Sequence, residues 1–376
     1  MKRFILTPLL LGLILPLNAE LENTIYYDNS NKINLAQAKL NEKSINYLKE
    51  TKLIFEKGLY VIESEHPKAK RIISMMNYVL EEDKKNFMAY SFRARAKNVL
   101  GKYKEAILDA TKSLSIKESF SAYYARAFAK QSINQHSEAA EDYTQALKFK
   151  PFEISSLLGR ARAYQRTNKF VNAASDFSKV IDIDPNNYPA YHGRASSNFF
   201  LQKFELSKND YTKIINLGFD KSSYPFYWRG NSKFELKDYQ GAIDDFSKAI
   251  QINPKDAYFY YWRGRSKYSL NLYQEAIDDY NKAIVINSQS EYFYYWRARS
   301  KNDLEKYYDS IKDYSQAIEI NPENNELDNF YRRGKSKYEL KDYKGALLDA
   351  RKANKKEPED FFNYILIASI KYKLKD

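Results

Sequence analysis

Two charged residues recur through this chain at one separation. Arginine stands at Arg93, Arg126, Arg160, Arg194, Arg229, Arg263, Arg297 and Arg333. Sixteen residues after each comes an aspartate: Asp109, Asp142, Asp176, Asp210, Asp245, Asp279, Asp313 and Asp349. A row of arginines alone would suit binding of phosphate or carboxylate. A matching row of aspartates, equal in number and register, favours charge-assisted pairs between two structural elements. An exposed pair of this kind contributes about 0–1 kcal/mol. Removing one partner of a buried pair costs about 3–5 kcal/mol, because the other charge is stranded. The expectation is a structural charge ladder in which Arg229, Arg263 and Arg297 belong with Asp245, Asp279 and Asp313.

Catalytic chemistry finds little support. The histidines are His66, His136 and His192, and cysteine is absent. That excludes a thiol nucleophile and a disulfide framework. The sequence carries no metal-ligand cluster, no glycine-rich phosphate loop and no Ser-His-Asp arrangement with local context. Asp244-Asp245 and Asp278-Asp279 are adjacent carboxylates, but neighbours in a helix point apart and make poor acid/base pairs. The reading is of a protein that is not an enzyme, with no catalytic residues, no metal and no cofactor.

The elements that position the charges are repeats. After each arginine comes a small residue: Ala94, Ala127, Ala161, Ala195, Gly230, Gly264, Ala298 and Gly334. Twelve residues on lies a second small mark: Ala106, Ala139, Ala173, Ser207, Ala242, Ala276, Ser310 and Ala346. All variation in repeat length therefore falls between units, never between the two marks. A period near 34 residues signals stacked supersecondary units. Within each unit an aromatic or Leu, Arg and the small mark lead to a short turn with Tyr or Phe (Tyr239, Tyr273, Tyr307, Tyr343). Then comes A-x-x-x-F/Y, as in Ala242 to Phe246 and Ala276 to Tyr280, often with a later Pro (Pro254, Pro322, Pro358).

This pattern resembles the tetratricopeptide repeat over residues 87–360, in eight copies. The resemblance implies an all-α fold, an α-solenoid of helix-turn-helix repeats forming a right-handed superhelix. Helix one of the model unit is expected from Ala257 to Leu270 and helix two from Tyr273 to Ile286. The sequence departs from the family at two places: Arg replaces its Leu before the small mark, and Lys mostly replaces its Tyr three residues after it. The resemblance also places a ligand groove on the first helices. Its residues would be Tyr227, Tyr261, Tyr295 and Tyr331 three before the mark, and Asn231, Arg265, Arg299 and Lys335 one after it. Tyr and Arg are enriched at binding hot spots. Trp228, Trp262 and Trp296 share one position in three consecutive units, where packing between units is the favoured reading.

Arrays expose an apolar face at each end and need caps. Residues 35–86 read as a degenerate helix pair at one end, behind a leader that makes the first non-repeat segment 20–86. Residues 361–376 read as a capping helix at the other, with Phe361, Tyr364, Ile365, Ala368 and Tyr372 as its buried stripe. Residues 1–19 read as a cleaved export signal, from Lys2 and Arg3, the apolar run Phe4–Leu17 and the small Ala19. The alternative is an uncleaved membrane anchor. No later stretch is apolar enough to cross a membrane.

The chain has 61 Lys and Arg against 48 Asp and Glu, a net charge of +13. Such a balance allows anionic partners without choosing among them. Export to the periplasm or another extracytoplasmic space makes nucleic acid an unexpected partner. The leading functional reading, from the resemblance, is a non-catalytic protein–protein interaction scaffold of the cell envelope, holding a protein or extended peptide, possibly acidic, in the groove. The alternative is binding of an anionic or cell-wall carbohydrate polymer through the Tyr/Arg-rich groove. Oligomeric state is left open by the sequence.

Overall fold

The computed structural model describes residues 40–56, 65–322, 324 and 328–374. The export segment at 1–19 and the leader at 20–34 lie outside the described residues. Every regular element among the described residues is helical, and none of these helices is long and apolar enough to cross a membrane. The chain divides into two compact halves, with the division after Lys203.

The N-terminal half holds α1 (Glu42–Glu56), α2 (His66–Glu82), α3 (Phe87–Val99), α4 (Tyr103–Ile116), α5 (Phe120–Ser132), α6 (His136–Phe149), α7 (Ile154–Arg166), α8 (Phe170–Ile183) and α9 (Tyr188–Phe200). Pro67 stands in the first turn of α2, where a proline has no hydrogen bond to lose. Leu48, Phe55, Ile72, Met76 and Val79 form one buried cluster with Phe92 and Val99 of α3. The pair α1 and α2 thus covers the face of the first repeat.

The C-terminal half holds α10 (Phe204–Ile214), α11 (Ser223–Glu235), α12 (Tyr239–Ile252), α13 (Ala257–Ser269), α14 (Tyr273–Ile286), α15 (Glu291–Asp303), α16 (Tyr307–Ile320), α17 (Asn329–Glu339), α18 (Tyr343–Lys356) and α19 (Phe361–Leu374). A π turn, Ile215–Phe219, follows α10. The model unit's helices, α13 and α14, end within one residue of the expected bounds.

The fixed distance between the two small marks has a stereochemical cause. Seven residues after the first mark the backbone turns left-handed in every unit: Gly101, Asn134, Asn168, Gln202, Lys237, Asn271, Glu305 and Lys341 have φ between 57° and 70°. The next residue's N–H then bonds back five residues, as Leu272 to Lys267 and Asp238 to Lys233, at 2.8–3.0 Å throughout. This closes the first helix, and an added or lost residue would break it.

Across the turn the hairpin closes on an aromatic ring. Tyr143, Phe177, Phe246, Tyr280 and Tyr314, the last residues of A-x-x-x-F/Y, are almost wholly buried. At Gly264 a Cβ would come within 2.8 Å of the Tyr280 ring, and at Gly230 within 2.9 Å of Phe246. These marks are small because the ring lies directly against the backbone.

The terminal helix corrects one expectation. The stripe Phe361, Tyr364, Ile365, Ala368 and Tyr372 faces solvent, with Phe361 69% and Tyr372 80% exposed. Instead α19 packs through Leu366 and Ile370 against Ala346 and Ala350 of α18, with Asn363 also buried. The helix is apolar on two faces, so periodicity alone could not choose the one that meets α18.

Candidate functional site

In seven units the recurring arginine and aspartate form the same two-pronged bond. Arg Nε donates to Asp Oδ2 at 2.7–3.0 Å and Nη2 to Oδ1 at 2.6–2.8 Å, joining Arg93–Asp109, Arg126–Asp142, Arg160–Asp176, Arg229–Asp245, Arg263–Asp279, Arg297–Asp313 and Arg333–Asp349. These aspartates are 1–6% exposed. Each pair links the first helix of a unit to its second, and the planar fork matches the carboxylate bidentately.

The third nitrogen reaches further back. Nη1 donates to a side chain on the second helix of the preceding unit: Thr111 for Arg126, Thr144 for Arg160, Ser178 for Arg194, Thr212 for Arg229, Ser247 for Arg263, Asn281 for Arg297 and Ser315 for Arg333, at 2.8–3.5 Å. Asn77 of α2 plays this part for Arg93 at 2.7 Å. Sequence reasoning missed these partners, although for the seven within the repeats the signal was present: each of those lies two residues after an aspartate of the row. It also missed a second cation. Lys97, Lys130, Lys233, Lys267, Lys301 and Lys337 meet the same aspartates at 2.7–3.0 Å. The Lys that replaces the family's Tyr is therefore part of the ladder.

The tyrosines of the sequence-derived groove are differently placed. Tyr227, Tyr261 and Tyr295 are buried, between 2% and 6% exposed. Tyr261 packs edge-on to Trp262, at 6.3 Å from Tyr280 and at 5.3 Å from Phe293 of the next unit. Tyr227 has the same neighbours in Trp228, Phe246 and Phe259. Burial raises the Tyr227 and Tyr295 hydroxyls far above the usual tyrosine range. Tyr295 donates to Asp328 at 2.6 Å, and Arg332, standing where the earlier units have Trp, donates to both. Asn231 is buried and donates to the Tyr227 carbonyl. Tyr331 is half-buried. The three tryptophans are buried: Trp262 meets Phe234 and Trp296 meets Tyr268 of the preceding unit, edge to face.

What stays accessible in that register is cationic. Arg265 and Arg299 are half-buried and Lys335 is exposed. The guanidinium carbon of Arg265 lies 3.8 Å from the Trp296 ring centre and that of Arg299 4.5 Å from it. Arg265 also donates to Tyr261 Oη at 3.1 Å. Among the described residues no carboxylate forms an ion pair with Arg265, Arg299 or Lys335, and Arg299 Nε is buried without a hydrogen-bond partner. The charges of Arg265 and Arg299 are held on aromatic faces, each such contact contributing about 0.5–2 kcal/mol.

Burial, and then Arg162, bring His192 down to about 4, and burial with Arg166 lowers His136. No group of three or more His, Asp or Glu among the described residues is arranged to hold a metal.

The tetratricopeptide-repeat family model matches residues 120–153, 257–290 and 292–324, and a related TPR-repeat model matches 230–270. Over these residues the chain carries tetratricopeptide repeats. No curated protein matches its sequence. Solved tetratricopeptide-repeat structures share its fold. One from Parabacteroides merdae has 18% identity and a TM-score of 0.52, covering 67% of this chain and 98% of that one. The APC/C hetero-tetramer Cut9–Hcn1 has 15% identity and a TM-score of 0.50, covering 79% of this chain. This chain spans only 58% of that relative's length. At these identities the likeness is one of fold.

Proposed function

We propose that this tetratricopeptide-repeat chain is a non-catalytic scaffold of the cell envelope, and that it holds an acidic protein or extended peptide segment on the first-helix face of its last four repeats. One observation carries this reading. Arg265 and Arg299 bracket Trp296, and no carboxylate among the described residues pairs with either. The neighbouring arginines one position before the marks, Arg263 and Arg297, are consumed by Asp279 and Asp313. A guanidinium stacked on an indole keeps in-plane N–H groups for a carboxylate from outside. The repeat register adds Lys335 to the same row. In the Cut9–Hcn1 hetero-tetramer a chain of similar fold is part of a multi-chain assembly, in keeping with a scaffold.

The alternative, recognition of an anionic or cell-wall carbohydrate polymer, needs ring faces open for stacking on sugars. Tyr227, Tyr261 and Tyr295 are packed into the helices, which favours a protein or peptide ligand.

The test is capture from the exported fraction with wild-type chain and with Arg265→Ala/Arg299→Ala. The variant should recover the principal partner at least tenfold less well, with circular dichroism unchanged. Equal recovery contradicts the assignment. Export itself is read from the mature N-terminus: cleavage after Ala19 supports the envelope setting, and a chain retaining Met1 in the membrane fraction would replace it with anchoring.

A further inference from the structure

Arg265 on α13 and Arg299 on α15 are fixed at a set spacing. Their guanidinium carbons lie 3.8 Å and 4.5 Å from the centre of one indole ring, that of Trp296. The two carbons are therefore no more than about 8 Å apart, within one screening length at physiological salt. Further rings hold each cation in place. Arg265 lies 5.3 Å from the Phe234 and Trp262 ring centres, and Arg299 lies 5.1 Å from that of Tyr268. Lys335, in the same register, is exposed and stacks on no ring among the described residues. Its own repeat has Arg332 where the three before it have Trp.

The cation row also stops at Arg265. The equivalent place in the preceding repeat is Asn231, neutral and buried, with Glu235 one turn further along α11. Asp303, one turn after Arg299, accepts from Tyr268 Oη at 2.5 Å and puts a second fixed negative charge beside the pair. A long run of acids would meet these carboxylates. Two acids, correctly spaced, meet only the two arginines.

The spacing follows from chain geometry. Along an extended segment side chains alternate between faces and advance about 3.3 Å per residue. Acids at neighbouring positions point to opposite sides. Acids at i and i+2 share a face about 6.6 Å apart, within the span of the pair. Acids at i and i+4 share a face about 13 Å apart, beyond it. We infer that the segment held here carries two carboxylates separated by one residue, Asp/Glu-x-Asp/Glu in extended conformation, one on Arg265 and one on Arg299. This rests on the acidic-segment reading above and adds the spacing the segment must have. Guanidiniums already immobilised on rings lose little freedom on binding, so the pair selects a ligand that engages both at once.

Fluorescence anisotropy with labelled peptides on the full chain tests it. End-blocked Gly/Ser peptides carry Asp-Ser-Asp, Asp-Asp, Asp-Ser-Ser-Ser-Asp or a single Asp, in a background that is flexible and uncharged. Asp-Ser-Asp should bind at least tenfold more tightly than each of the others. In Arg265→Ala and in Arg299→Ala, with circular dichroism unchanged, it should fall to the level of the single-Asp peptide, and removing one of its acids should then cost nothing more. Equal affinity for the three two-acid spacings overturns the inference and leaves the acidic reading standing. So does tighter binding of a helical peptide with acids at i and i+4. Binding of none of the peptides at millimolar concentration, or binding indifferent to both arginines, removes the acidic reading itself and the inference with it.

Discussion

At the scale of single residues the recurring arginine ties its own repeat to the one before it. Arg263 makes two bonds to Asp279 in its own repeat and one to Ser247 in the preceding repeat. Its arms are unequal. The carboxylate arm joins two charges with the aspartate 3% exposed. Asp279→Ala should therefore lower the free energy of unfolding by about 3–5 kcal/mol, since it strands Arg263 and Lys267 together. Ser247→Ala removes one hydroxyl acceptor and should cost about 0.5–1.5 kcal/mol. Equilibrium unfolding in urea measures both, and equal small effects would place the pair in water. The Arg–Asp register was legible in the sequence because both members are invariant across eight copies. The third arm was harder to read, because Thr, Ser and Asn share that place and only their hydrogen-bonding capacity is common. The tyrosine row misled for a different reason. Composition identifies Tyr227, Tyr261 and Tyr295 as capable of binding, but burial depends on what the next repeat brings, and it brings Phe259 and Phe293.

At the scale of the helical hairpin the turn is the controlling element. All eight turns adopt a left-handed residue, yet glycine supplies it only at Gly101, and asparagine at Asn134, Asn168 and Asn271. Lys237, Glu305 and Lys341 hold φ near 60° with a full side chain, at a cost of about 1 kcal/mol each. Lys237→Gly and Lys341→Gly should each raise the unfolding free energy by about 0.5–1 kcal/mol, while Asn271→Gly should gain less because asparagine tolerates this region. Thermal midpoints of the three single variants decide it; a loss at Lys237 would mean the side chain contributes more than its backbone costs. Helix positions were legible from the two small marks. The face on which α19 packs was not, because Phe361, Leu366, Ala368 and Ile370 leave that helix without a single polar side to turn outward.

At the scale of the whole chain, each repeat buries its apolar side only with neighbours, so stability is a sum of unit and nearest-neighbour contributions. The arginines are where those two contributions meet. The same geometry recurs in both halves, from Arg93 with Asn77 to Arg333 with Ser315. It follows that losing one arginine should loosen its own hairpin and the second helix before it, but not repeats two places away. Native-state hydrogen exchange on Arg263→Met, resolved by peptide, tests this most directly. The account predicts faster exchange in α12, α13 and α14, with α17 and α18 unchanged. Unchanged protection throughout, or loss confined to α13 and α14, would contradict it.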